Sequence, residues 1–229
     1  MKAVVLAGGV GKRLRPLTND LPKMMVPVKG EPLLCHVLRG LKSHVESVVL
    51  VVGYLKDKII NYFGNEFEGL KIDYVFQDGY KGTAHALLCA EPMVSNPFLL
   101  VYGDLFFNSS IYYKVLSQRA DGVMVGKVVS NPSDYGVLET KDDMLINILE
   151  KVPNPPNNLI NAGIYLLPPE VFEACRQIPL SPRGEYELTD AIMLLINKGL
   201  CFSVVPINDW VDVGSLDRLK TANEMIFLN

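Results

Sequence analysis

Histidine occurs only three times in the 229 residues, tryptophan once and cysteine four times, and each scarcity removes a class of chemistry. Cys35, Cys89, Cys175 and Cys201 lie far apart without C-x-x-C spacing, which argues against a zinc cage and a disulfide framework and predicts reduced core thiols in a cytoplasmic protein. No stretch approaches the about 18 apolar residues of a membrane span, and the apolar run before Gly8 is too short for a signal-peptide core. A membrane partner is therefore not expected. With 22 basic against 25 acidic side chains the net charge is -3, so no broad positive field exists to hold nucleic acid, and any phosphate must be captured locally. Repeats, low-complexity segments and linkers are also missing. The reading is one domain over 1–229, able to bury roughly 70% of its unfolded surface.

What the chain does have is a glycine cluster. Leu6-Ala7-Gly8-Gly9-Val10-Gly11-Lys12-Arg13 follows a short apolar run and is followed by Pro22-Lys23, an arrangement that brings bare backbone and positive charge to a phosphate chain. It is not a Walker loop, since Leu6 stands where the first glycine belongs and Arg13 where the magnesium-binding hydroxyl belongs. Nor is it a dinucleotide fingerprint, because Leu14 takes the third glycine position. The plain alternative is an ordinary βα turn, against which Arg13 and Lys23 weigh. A nucleotide is the expected ligand.

Apolar runs at Val48–Val52, Ile72–Phe76 and Phe98–Tyr102 read as strands, and Leu33, Leu34, Val37, Leu38 and Leu41 as the buried stripe of a helix between them. Alternating βα units predict a three-layer α/β/α sandwich with a mostly parallel mixed sheet. From about 121 to 170 strand follows strand, which predicts a smaller, antiparallel or mixed β lobe. Helical periodicity returns at Leu188, Ile192 and Leu195, and Ser215 is placed to cap a closing helix. Gly8, Gln77 and Asp104 each stand just past a strand's C-terminal end, where open α/β sheets bind ligands.

Asp104 and Asp212, at strand ends early and late in the chain, could meet across the sheet and hold magnesium, which takes one or two carboxylates and completes its shell with water and phosphate oxygens. Singly, either reads as a turn or cap residue; beside a phosphate loop the metal reading gains.

Together with these, Gln77, Gly82-Thr83-Ala84, Tyr135-Gly136, Glu150-Lys151, Asn161-Ala162-Gly163-Ile164-Tyr165, Glu187-Leu188-Thr189-Asp190 and Trp210 to Ser215 occur in an order that resembles the sugar-phosphate nucleotidyltransferases, the NDP-sugar pyrophosphorylases of glucose-1-phosphate thymidylyl- or uridylyltransferase type, over essentially the whole chain. The resemblance implies a Rossmann-like core and the reaction of a nucleoside triphosphate with a sugar 1-phosphate to give an NDP-sugar and pyrophosphate, with Mg²⁺. It implies catalytic roles for Arg13, Lys23 and Asp104, nucleotide binding by Leu6, Ala7, Gly8, Gly9, Gly11, Gln77, Gly82 and Thr83, sugar-phosphate binding by Gly136, Glu150, Lys151 and Asn161, and metal binding by Asp104 and Asp212. Gln77 in similar enzymes favours uracil or thymine, so UTP or dTTP is expected, with mannose-1-phosphate guanylyltransferase as the alternative and a non-catalytic nucleotide-sugar sensor as an alternative of another class. His85 reads as a packed helix-face residue and Trp210 as core. The chain departs from the pattern at Met24, where proline is common after the lysine, and at Val152 after Glu150-Lys151. It ends without the C-terminal extension of longer relatives and so resembles a lone catalytic domain; homo-oligomer formation is left open.

The chemistry is consistent with so little histidine. A sugar phosphate whose second pKa is about 6 is already ionised at neutral pH and needs no general base. What it needs is cations, since each close pair of unit charges between the two phosphate groups repels by about 4 kcal/mol at an effective dielectric near 20.

Overall fold

A computed structural model describes residues 1–227. The chain runs through β1 (Lys2–Leu6), β2 (Pro27–Val28), β3 (Glu31–Pro32), α1 (Leu33–Leu41), β4 (Ser47–Val52), α2 (Lys56–Phe63), β5 (Glu66–Phe67), β6 (Leu70–Phe76), α3 (Thr83–Leu88) and β7 (Phe98–Tyr102). It continues through β8 (Leu105–Phe107), α4 (Ile111–Leu116), β9 (Gly122–Val128), β10 (Gly136–Lys141), β11 (Met144–Glu150), β12 (Leu159–Leu167), α5 (Glu170–Gln177), α6 (Leu188–Asn197), β13 (Phe202–Pro206), β14 (Trp210–Asp212) and α7 (Leu216–Glu224).

Ten strands form one mixed sheet in the order β10-β11-β13-β9-β12-β7-β1-β4-β6-β5. Strands β7, β1, β4 and β6 are parallel, as βα crossovers require. Strand β12 then runs antiparallel to both β7 and β9. The strand-rich segment at 121–170 thus extends the central sheet as its antiparallel half.

The sheet is buried on both sides, which explains the continuous apolar runs. Ala3, Val5, Val48, Leu50, Leu99 and Val101 face α1, α2 and α4, while the alternate residues Val4, Val49, Val51 and Leu100 face α3, α5 and α6. Each such aliphatic side chain contributes about 1.5–3 kcal/mol on burial. Helix α1 buries Leu33, Leu34, Val37, Leu38 and Leu41 and turns Arg39 outward to Glu31 and Glu68, at 2.6 and 2.7 Å.

The short pair β8–β14 positions the site. Asp212 lies opposite Leu105, the neighbour of Asp104, and the Val213 N–H donates to the Asp104 carbonyl at 2.8 Å. Trp210 is core, as expected, with its indole N–H donating to the Ala162 carbonyl at 2.9 Å. The Ser215 hydroxyl caps α7 by accepting from the Arg218 N–H at 3.4 Å.

The expectation of core thiols holds for only part of the set. All four cysteines are free, and Cys35 and Cys175 are buried, where loss of hydration pushes their thiols up to about 11 and about 12. Cys89 is half-buried, however, and Cys201 is exposed: it precedes β13, with its N–H held by the Asp121 carboxylate at 2.7 Å and its side chain outside the core. No helix among the described residues is long and apolar enough to cross a membrane.

Candidate active site

Parallel β1, β6 and β7 end on the same side of the sheet, so the segments that follow them meet around a cavity of about 380 Å³. It is lined by Leu6, Gly8, Gly9, Gly11 and Arg13, by Gln77, Gly82 and Thr83, and by Lys23 and Asp104. Gly11 has a φ of 68°, and a Cβ there would lie 3.1 Å from both Lys23 and Thr18. Gly82 has a φ of 102°, and a Cβ would collide with the Tyr186 carbonyl at 2.4 Å. That closeness is productive: Tyr186 N–H donates to the Lys81 carbonyl (2.8 Å), Ala84 N–H to the Tyr186 carbonyl (2.9 Å) and Leu188 N–H to the Thr83 hydroxyl (3.0 Å). The Gly82 loop is thereby stitched to the segment before α6.

A second cavity of about 220 Å³ adjoins the first, with Arg13, Thr83, Tyr102, Asp104 and Glu185 on both walls. Its own wall carries Gly136, Glu150, Lys151 and Asn161. Gly136 pairs with Glu150 across β10 and β11, and a Cβ on Gly136 would sit 2.7 Å from the Glu150 carboxylate, so glycine makes the room that carboxylate occupies. Glu150 is held by Arg183 (3.3 Å) and the Thr189 hydroxyl (3.3 Å), and Arg183 also reaches the buried Glu187 at 3.0 Å. Burial pushes the Glu187 carboxyl up from its ordinary value. The Asn161 amide donates to the Tyr165 hydroxyl (2.6 Å), which donates to the Tyr102 hydroxyl (3.1 Å), and accepts from the Gly163 N–H (3.0 Å). Lys151 has a φ of 50°, a strained conformation for a residue with a side chain, in the loop where Val152 follows.

Where the cavities meet, Lys23 is buried and bonds its ammonium to the Asp104 carboxylate, 3.9 Å from Asp212 Oδ1. Asp212 Oδ2 accepts from Arg218 (2.7 Å) and from the Tyr135 hydroxyl (3.4 Å), while its buried Oδ1 has no hydrogen-bond partner. Burial, then the charge of Asp104, pushes the Asp212 carboxyl up; Lys23, Arg218 and Arg13 act against them. Two carboxylates with one bare, buried oxygen are a fit donor set for a single hard divalent cation whose other ligands are water and phosphate.

The structure brings the expected residues to one continuous cleft, Ala7 excepted. The Ala7 N–H donates to the Val51 carbonyl at 2.8 Å and its methyl group is in the core, so it supports the loop from beneath. Lys12, read with Arg13 as the positive charge of the glycine cluster, also lines the cleft, and several cleft residues have no role in the sequence reading: Tyr80, Tyr102, Tyr135, Glu185 and Arg218. Arg218 was not readable, since its contact with Asp212 depends on where α7 packs.

Three comparisons bear on this cleft. The family model for nucleotidyl transferases matches residues 2–227. The UTP–glucose-1-phosphate uridylyltransferase AglF of Haloferax volcanii is 41% identical over 222 residues, 93% of this chain and 91% of that protein. The bifunctional protein GlmU of Methanocaldococcus jannaschii is 37% identical over 99% of this chain, which spans only 54% of it, about half the length of such relatives. Among solved structures, a UDP-glucose pyrophosphorylase from Acinetobacter baumannii shares the fold with a TM-score of 0.84 at 24% identity, covering 97% of this chain and 91% of that one.

Proposed function

The chain belongs to the nucleotidyl transferase family and is a sugar-1-phosphate nucleotidyltransferase, and from that premise we propose that it joins UTP or dTTP to a glucose-type hexose 1-phosphate, with Mg²⁺. The observation that carries this reading is the adjacency of two unlike cavities across Lys23, Asp104 and Asp212. One carries the Gly8–Gly11 loop with Lys12, Arg13 and Lys23 and suits a triphosphate; the other carries Glu150, Asn161 and Thr189 beside Lys151 and suits a sugar phosphate.

In this reading the amides of the Gly8–Gly11 loop bind the nucleotide phosphates, and Arg13, on the wall of both cavities, draws on the departing pyrophosphate. Gln77 and the Gly82 backbone meet the edge of the base, as the family resemblance implies. Glu150 and Asn161, each held by partners of its own, read sugar hydroxyls, and Lys151 takes the sugar phosphate. Lys23 offsets the charge that grows at the α-phosphorus as the sugar-phosphate oxygen attacks in line. The attacking oxygen is already ionised and the leaving group is pyrophosphate, so no side chain has to move a proton. Asp104 and Asp212 would hold the magnesium, which when bound supplies positive charge between the two phosphate groups.

The test is pyrophosphate release measured for UTP, dTTP, GTP, CTP and ATP against glucose, mannose, galactose and N-acetylglucosamine 1-phosphates, with Mg²⁺ and with a chelator. Release with UTP or dTTP and a gluco-configured sugar, stopped by the chelator, is the expected result. Release confined to GTP and mannose 1-phosphate would overturn the choice of substrates.

A further inference from the structure

Base selection in this cleft depends on which end of the Gln77 amide faces the nucleotide, because the two ends have opposite hydrogen-bonding character. Gln77 follows β6 and its side chain lies between two segments. At one end its nitrogen is 3.5 Å from the Gly82 carbonyl, which can only accept, and 3.5 Å from His85 Nδ1 in α3. At the other end its oxygen leans over the glycine loop, so that a Cβ on Gly8 would lie 3.0 Å from it. Both contacts of the nitrogen lie at the start of α3, so the NH₂ turns toward that helix and the carbonyl toward Gly8, which lines the cavity.

We propose that His85 is a positioning residue that locks the Gln77 amide with its oxygen toward the base, and so admits bases that offer an N–H at that edge. This deepens the nucleotide reading above and rests on it. His85 carries its ring proton on Nε2 and accepts from Gln77 through Nδ1; a proton on Nδ1 would meet the NH₂ donor to donor. With the amide so fixed, Gln77 Oε1 accepts the N3–H of uracil or thymine, whereas cytosine presents a lone pair there and meets oxygen against nitrogen. His85 is half-buried, and it acts without touching substrate. Gly82 secures the same orientation through its backbone, so removing His85 loosens the lock without abolishing it.

The expected effect is that of one neutral hydrogen bond, about three- to tenfold in the ratio of kcat/KM for UTP over CTP. His85→Phe keeps a ring and removes the acceptor, and should lower that ratio three- to tenfold while the kcat with UTP and the KM for the sugar 1-phosphate stay within twofold of wild type. His85→Asn, whose side-chain oxygen can take the place of Nδ1, should keep the ratio within twofold. Calorimetric Kd values for UTP and CTP should move in the same proportion, a readout that needs no turnover and so separates failure of this inference from failure of the transfer reaction. Melting temperatures follow folding, and His85→Ala replaces the phenylalanine if that ring does not fit. An unchanged ratio in the Phe and Ala variants, or equal losses with UTP and CTP, overturns the proposal. So does wild-type protein that binds CTP as tightly as UTP.

Discussion

The two halves of the cleft are built by different means. The cavity proposed for the nucleotide stands on the parallel part of the sheet, where the backbone of Gly8, Gly9, Gly11 and Gly82 lines it together with Lys12 and Arg13. The cavity proposed for the sugar stands on the antiparallel part and is walled by side chains that are themselves held, Glu150 by Arg183 and Thr189, Asn161 by Tyr165 and Gly163. Phosphate is recognised by its charge and by a row of N–H donors, which glycine backbone presents without obstruction. Hydroxyl stereochemistry is recognised by direction, and a carboxylate or amide keeps its direction only if its other contacts are fixed.

Breaking the junction should cost most. Lys23→Ala should lower kcat by about 10²- to 10³-fold, measured by pyrophosphate release, with the melting temperature little changed, because its charge is needed chiefly in the transition state. An unaltered kcat/KM would remove Lys23 from the mechanism. Next in size is the glycine that joins the two halves. In Gly82→Ala the new methyl meets the Tyr186 carbonyl at 2.4 Å in a backbone conformation of φ 102°, so both KM values should rise by more than tenfold and the melting temperature should fall. If only the nucleotide KM moves, the stitch between the loops does not couple them.

Smaller effects sharpen the contrast between the halves. Glu150→Gln should raise the KM for the sugar 1-phosphate by about tenfold and leave that for the nucleotide within twofold, since only the charged acceptor on the sugar side is lost. Smallest is Lys12→Ala. Lys12 is exposed, lies on the cavity wall and forms no ion pair among the described residues, so its removal should raise the KM for nucleotide and, in the reverse direction, for pyrophosphate by about three- to tenfold. Arg15→Ala, three positions on and off the cavity wall, is the control and should leave both unchanged.

The strands from Val48 and Phe98, the run of strands from about 121 to 170, the stripe of α1 and the Ser215 cap were legible because short-range periodicity and capping chemistry are local properties. The location of the cleft was legible from Gly8, Gln77 and Asp104, each at a strand's end, since strand direction in βα units is dictated by their alternation. The continuity of the sheet was not. That β12 inserts antiparallel between β7 and β9 is a choice among pairings of long sequence separation, on which local pattern is silent.

Residue types alone pointed to glycine backbone and cations as a cradle for phosphate, and to a chemistry that needs little histidine. Tertiary structure alone decided the rest: that Asp212 keeps one oxygen bare because Arg218 and Tyr135 hold the other, that Gly82 must be glycine because Tyr186 lies against it, and that the Gln77 amide turns its nitrogen to the start of α3. The physical reason is range. Backbone conformation and side-chain charge are carried by the residue itself, whereas the orientation of a polar group is fixed by partners that only folding brings within hydrogen-bond distance.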